Sequence, residues 1–438
     1  MLVEVALNFR TRRPELCRHL SSIWSGNDSR LIKKTTHPKI MNIVHESRKY
    51  GMKKAIVTAA IAAATLIQPA LHAGTCSVNG GTTFQTIDGI GFSTAWCGTL
   101  SSAKNAALYD TLGFSILRVR IDQNRSWAEE TANSSAAHSR GLKVLGSCWS
   151  GPPQWNSNGQ TGGGSLLASH YGDYAAFLRD AANTINIDWV SFQNEPDIND
   201  FVVWTPSQML TFLKNNSATI ARPICYAESF HYDDAFTDPA LNDGSAVGKI
   251  SVVGGHIYGG GLNTHQNALN KGKHVWQTEH FVANSRDSIN NSLIQAKEIQ
   301  DCMNNQMSAY FYWWVNDTDA SVNLVNQSGT IFKAGYVAGQ FAKWVRPGKL
   351  RIAATYNPTS GIYVTAYRSG GLVIVAVNNS GSSVNQTFAL QNITGVTSLL
   401  ANRTSSSQNM AAITAATVSS NAFTYTLPAQ SVTTFHQF

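Results

Sequence analysis

Between Thr86 and about Arg346 the chain alternates short β-branched or aromatic runs with longer segments of helical period. Eight runs have strand character: 87–92, 116–121, 142–148, 189–193, 223–227, 250–257, 274–278 and 309–315. Helical stretches such as 171–184, 206–216 and 288–304 fall between them, and 335–344 follows the last. This βα rhythm predicts an α/β fold, a (β/α)8 TIM barrel over 86–346. An open doubly wound sheet has fewer strands and a glycine-rich phosphate turn, and no such turn follows the first run.

Past Arg346-Pro347-Gly348 the period becomes two, as in Gly361-Ile362-Tyr363-Val364-Thr365-Ala366-Tyr367 and Leu372-Val373-Ile374-Val375-Ala376-Val377. Ser, Asn and Thr turns separate these runs. Residues 347–438 therefore predict an appended C-terminal β-sandwich. The strand-like stretch 74–85, at the start of the expected mature chain, would complete it from the other end.

Upstream, Met52-Lys53-Lys54 precedes an apolar stretch that runs from Ala55 through Ile67, and Leu71-His72-Ala73 follows Pro69. That layout predicts a signal peptide over 52–73, cleavage after Ala73 and a secreted protein, extracellular or periplasmic. A membrane anchor fits less well, because the run is shorter than the roughly 20 residues a bilayer requires. Residues 1–51 read as a non-native extension upstream of the true start.

Composition changes this picture in one respect. The chain is 43% hydrophobic and 13% charged, as a globular protein is, yet carries a net charge of +7. Residues 1–73 hold twelve Lys/Arg against four Asp/Glu, which leaves 21 basic and 22 acidic residues beyond. A near-neutral body offers no footprint for nucleic acid. A monomer with neither nucleic acid nor membrane as a partner is expected. Cys76, Cys97, Cys148, Cys225 and Cys302 show no zinc-type spacing and read as buried thiols, with a Cys76–Cys97 bridge the one pairing considered. No metal or cofactor is expected.

Two strand-like runs end in a glutamate: Val190-Ser191-Phe192-Gln193-Asn194-Glu195-Pro196 and His274-Val275-Trp276-Gln277-Thr278-Glu279-His280. One such glutamate would read as a solvated loop residue or an ion-pair partner. Two in the same context, at the carboxyl ends of the fourth and seventh strands, supply the paired carboxyls that hydrolysis of a glycosidic bond needs. Asn194 adds an amide for a sugar hydroxyl, and Trp149, Tyr258, Trp313 and Trp314 offer aromatic surface at other strand ends. Trp204 is a further candidate. Asp88, Asp197 and Glu228 read as structural or supporting, and His256 and His280 as hydrogen-bonding partners near the carboxylates.

The motifs Phe192-Gln193-Asn194-Glu195-Pro196-Asp197, Trp276-Gln277-Thr278-Glu279-His280, Gly255-His256-Ile257-Tyr258-Gly259 and Gly335-Tyr336-Val337-Ala338-Gly339-Gln340-Phe341 resemble glycoside hydrolase family thirty, its xylanase branch above all. The resemblance implies a retaining endo-β-1,4-xylanase whose partner is a polysaccharide, xylan, with Glu195 as acid/base and Glu279 as nucleophile. It also implies that Trp149, Asn194, Tyr232, Tyr258 and Trp314 line sugar subsites. Many members specific for glucuronoxylan carry an arginine after the eighth strand. Here residues 315–324 have none, and Asp317 and Asp319 would repel an anion, so xylan cleavage without a strict need for glucuronate branches is expected. A β-1,6-glucanase, a glucosylceramidase-like hydrolase and a non-catalytic carbohydrate-binding protein are the other readings. A separate surface-interaction role for the sandwich is a further one.

Overall fold

The structure, a computed structural model, describes residues 74–438 and the backbone of Leu71 and His72. The upstream extension and, apart from that dipeptide, the expected signal peptide lie outside the described residues. Strands Gly89–Ser93, Ile116–Ile121, Lys143–Cys148, Trp189–Ser191, Ile224–Ser229, Ile250–His256, His274–His280 and Ala309–Tyr312 form a closed parallel barrel, the last pairing with both the seventh and the first. Among the described residues, no helix is long and apolar enough to cross a membrane.

Side-chain parity along the second strand explains how the barrel is filled. Leu117, Val119 and Ile121 point outward into the large core shared with the helices. Ile116 points inward, where it joins Leu145, Cys225, Val252, Trp276, Ala309 and Phe311 in an apolar plug. Arg118 has the same parity as Ile116, so it also enters the barrel, one layer higher. Helices seal the outside. Pro206–Ile220, for example, begins at a capping box in which Thr205 Oγ1 accepts from Gln208 N (3.2 Å) and Gln208 Oε1 from Thr205 N (2.7 Å).

Two strands break their parity near the top. Between the sixth and seventh, Gly255 pairs with Gln277 but His256 pairs with Glu279, a bulge at Thr278. Glu279 therefore faces inward although it lies three residues beyond the inward Trp276. Gln277 Oε1 accepts the Phe311 N–H (2.9 Å), which satisfies a donor beside the break. The fifth strand does the same: its register shifts between Ala227 and Ser229, where Ala227 (φ 97°) and Glu228 (φ 45°) adopt positive φ. That turns Glu228 inward, three residues after Cys225.

The remaining strands form a ten-stranded mixed sheet that folds around its own core of Val364, Ile374, Phe388, Phe423, Phe435 and neighbours. Strand Cys76–Thr86 lies between Leu350–Ala354, to which it is antiparallel, and Val384–Gln391, to which it is parallel. In strand Val373–Asn378, residues 373–377 are all apolar because both faces are covered. Ile374 and Ala376 enter the sandwich core, whereas Val373, Val375 and Val377 enter the barrel core together with Tyr367 and Val432. Polar links cross the same boundary: Gln300 Nε2 donates to Val375 O (2.9 Å), Lys333 Nζ to Ser405 O (2.7 Å) and Thr434 Oγ1 to Gln340 O (2.8 Å).

The sandwich thus covers one flank of the barrel and shares core residues with it, as a β-sandwich appended to the barrel. The considered Cys76–Cys97 bridge does not form: Cys76 is in the sandwich core, Cys97 at the barrel top, and all five described cysteines are free. Burial pushes the thiols of Cys76 and Cys148 up to about 12. Deleting residues 347–438 should leave residues 74–346 insoluble or without cooperative unfolding, as read by circular dichroism and size exclusion. A soluble fragment that melts cooperatively would contradict the shared core.

Candidate active site

Arg118 lies fully buried at the centre of the site. Its Nη1 donates to Glu279 Oε2 (2.7 Å) and its Nη2 to Asn194 Oδ1 (2.6 Å). Nε donates to Ser147 Oγ (3.1 Å) and is 3.2 Å from Glu228 Oε1, and the guanidinium lies 4.6 Å from the centroid of the Trp149 ring. One side chain thereby ties the second strand to the third, fourth, fifth and seventh.

Glu195 comes from beyond the fourth strand, which ends at Ser191 and not at Gln193. Its segment stays fixed because Asn194 N donates to Cys148 O (2.8 Å) and Glu195 N to Glu228 O (2.9 Å), extending the sheet pattern past the regular strand. At Glu195 the backbone turns with φ 48°. His256 Nδ1 bonds Glu195 Oε1 at 3.0 Å, and its Nε2 is 4.0 Å from Glu279 Oε2. Tyr258 Oη donates to the other oxygen of Glu279 (3.0 Å).

Electrostatics follow from this packing. Burial alone would lower His256, but Glu279, Glu195 and Glu228 outweigh it and push the imidazole up to about 9. At neutral pH it is imidazolium, with Nδ1–H donating to Glu195. For Glu228 burial acts upward, yet the Arg118 charge and then His256 hold its carboxyl well below the usual carboxylate range. Ligand atoms of Glu195, His256 and Glu279 all lie within 4.8 Å of one another, a spacing that a metal ion could use. The positive charge that a metal would bring is already supplied by Arg118 and the imidazolium, one of which it would have to displace.

Of the residues expected to meet sugar, Asn194, Tyr258 and Trp149 touch this cluster, and Trp314 joins them through the wall that Trp149 forms. Trp149 packs with Ala95, Phe201, Trp313 and Trp314 in an aromatic wall, and Trp96 joins it 5.1 Å from Trp149. Trp149 Nε1 and Asn194 Nδ2 are buried donors without a hydrogen-bond partner in the protein. Asn194 is oriented by Arg118, which occupies its oxygen and leaves the amide nitrogen free to serve a ligand.

Trp204 and Tyr232 are elsewhere, and both expectations are corrected. Trp204 stacks on Tyr171 (5.5 Å) and donates through Nε1 to Gln193 Oε1 (3.1 Å), bracing the Glu195 segment from behind. Tyr232 lies against Gly255, where a Cβ would come within 2.3 Å of its ring, and its hydroxyl donates to Val253 O (2.9 Å). His280 pairs with Glu298 (2.7 Å) and packs on the Tyr258 ring (4.8 Å) instead of bonding a site carboxylate. Asp197 fastens the following loop by accepting from Phe230 N (3.0 Å), and Asp88 sits beneath the plug on Trp276 Nε1 (2.7 Å). Asp317 is no repulsive charge, since buried Lys104 pairs with it.

Sequence reasoning missed Arg118. Its signal is the inward parity it shares with Ile116, because a cation placed inside a barrel needs carboxylates around it.

Paired carboxylates beside an aromatic wall, at the carboxyl ends of barrel strands, define a glycoside hydrolase. No family model matches the chain. Over 393 residues it is 36% identical to glucuronoxylanase XynC of Bacillus subtilis (strain 168), covering 83% of this chain and 92% of that protein. It is similar to the glycoside hydrolase family 30 subfamily 8 xylanase Xyn30A of Clostridium acetobutylicum (37% identity, TM-score 0.78) and to a GH30 endoxylanase of Clostridium papyrosolvens C71 (38%, 0.78). Each covers 83% of this chain and 99% of the solved one. The chain belongs to glycoside hydrolase family 30.

The raised His256 value has a signed consequence. A histidine whose folded value is about 9 against 6.5 contributes stability that is complete below 6.5 and lost as pH rises through 9. Thermal melts of the protein and of His256→Asn should therefore converge between those limits. The ring resonances of His256 should titrate near the upper limit, and a midpoint near 6.5 would refute the imidazolium.

Proposed function

We propose that the protein is a secreted, monomeric, retaining endo-β-1,4-xylanase that cleaves xylan without requiring a glucuronate branch. The observation that carries the mechanism is the closeness of Glu195 and Glu279. Carboxyl groups about 5–5.5 Å apart suit a covalent glycosyl-enzyme, whereas inverting enzymes hold theirs about 6.5–9.5 Å apart to admit a water. Here carboxylate oxygens of the two residues fall within 4.8 Å.

In this reading Glu279 attacks the anomeric carbon, held by Arg118 on one oxygen and Tyr258 on the other. Glu195 gives its proton to the leaving oxygen, and the His256 N–H stabilises the carboxylate that results. A water then enters. Glu195 takes its proton, and attack on the anomeric carbon breaks the bond to Glu279. Trp149 Nε1 and Asn194 Nδ2, buried donors without a partner in the protein, meet sugar hydroxyls in this reading.

Xylan as substrate is supported by the relatives' names, glucuronoxylanase and endoxylanase. Tolerance of unbranched chains is supported by residues 315–324, which hold no arginine. Arg286, in the loop after the seventh strand, is occupied otherwise. Its guanidinium lies 3.8 Å from the Phe332 ring centroid and pairs with Asp287 (3.3 Å), and Nη1 donates to Ala320 O (3.4 Å).

Glucuronoxylan, linear xylan and β-1,6-glucan incubated in parallel test the proposal. Both xylans should yield mixed oligomers and the glucan nothing, with the β-anomer appearing first by NMR. Products branched at one fixed position, with linear xylan untouched, would overturn the branch tolerance. Glu279→Gln should lower kcat on the order of 10⁴-fold or more while still binding xylan.

A further inference from the structure

Lys104 is a fully buried cation outside the carboxylate cluster, on the short helix Ser102–Asn105 in the connection after the first barrel strand. Its ammonium donates to Val315 O and to Asp317 Oδ1, both in the loop after the eighth strand. Asp317 in turn organises that loop. Its Oδ2 accepts from Gln327 N (2.7 Å) and its Oδ1 from Asn323 Nδ2 (3.3 Å). The two loops are stitched further by Asn316 Nδ2 donating to Trp96 O (2.7 Å), Ser101 N to Gln327 Oε1 (2.8 Å) and Trp314 Nε1 to Ala95 O.

What the stitching holds is the aromatic wall. Trp96 comes from the first of these loops, and Trp313 and Trp314 begin the second. Trp96 has φ 56°, a left-handed conformation that a bulky residue adopts only when its surroundings impose it. A buried ammonium is costly unless its partners are fixed, so the Lys104–Asp317 pair admits few loop arrangements.

We propose that Lys104 and Asp317 act as positioning residues: they lock the loops after the first and eighth strands together and set how well the tryptophan wall receives a xylan chain. Neither touches the reacting carboxylates. The inference rests on the xylanase reading above. Breaking the pair should therefore weaken substrate binding and spare the chemistry.

The test compares the full chain with Lys104→Met and Asp317→Asn. The second variant keeps one acceptor oxygen for Lys104 and replaces the charge and the acceptor facing Gln327 N by an NH2 group of the same shape, so it loosens the same pair without emptying the site and remains informative if Lys104→Met fails to fold. Each folded variant should show KM for linear xylan raised about tenfold, kcat within about twofold, and a red-shifted tryptophan emission. Wild-type KM and emission in a folded variant would overturn the proposal, as would a fall in kcat at unchanged KM. If the unmodified protein leaves linear xylan uncut, the substrate reading fails. The emission shift then still reports whether the pair holds the wall.

Discussion

A guanidinium enclosed in a barrel constrains everything around it. Arg118 cannot release its proton and cannot reach water, so carboxylates and dipoles must come to it from the neighbouring strands. Glu279, Glu228, Asn194 and Ser147 do so, from four different strand ends. Held in this way, Glu279 is fixed in one rotamer and Asn194 keeps its amide nitrogen turned away from the arginine. Catalytic geometry here is a by-product of satisfying one buried charge.

The barrel meets that demand by departing from its own regularity. In an unbroken strand, inward residues below would place Glu279 and Glu228 on the outer face, against the helices, where an unpaired carboxylate is untenable. The bulge at Thr278 and the positive-φ pair Ala227–Glu228 each shift parity by one. Both irregularities lie above the apolar plug, so the lower barrel can be ideal while the upper barrel is chemical. Strain of this sort persists because the ion pairs and hydrogen bonds around it over-determine the backbone.

Period and composition expose the fold well, because eight strands buried on both faces and a period-two tail leave plain hydrophobic signatures. The two glutamates are legible for a local reason: each closes an apolar run in a polar setting. Arg118 is hidden, since Ile-Leu-Arg-Val-Arg-Ile reads equally as a half-solvated strand until barrel closure decides which face is inside. Trp204 and Tyr232 show the converse. An aromatic residue near a strand end carries no mark of whether it turns toward the cleft or back under the loop, and here Gln193 and Val253 O capture their polar atoms. Asp317 looks like a repulsive charge only while Lys104, more than two hundred residues away in sequence, is out of view.

Charge balance links the buried cluster to the proposed reaction. Arg118 and the His256 imidazolium carry two positive charges, and the three glutamates can carry three negative ones. With the proton on Glu195 that the acid role requires, the cluster is neutral. As the sugar bond breaks, Glu279 loses its charge to a covalent ester and Glu195 gains one by giving up its proton. The total is unchanged, and the negative charge has moved from one side of His256 to the other, from 4.0 Å at Nε2 to 3.0 Å at Nδ1. A low-dielectric site tolerates such a transfer far better than the creation of net charge, because the fixed cations face both the starting and the final position. Glu228, wholly buried beside Arg118, supplies the standing negative charge that makes this balance possible.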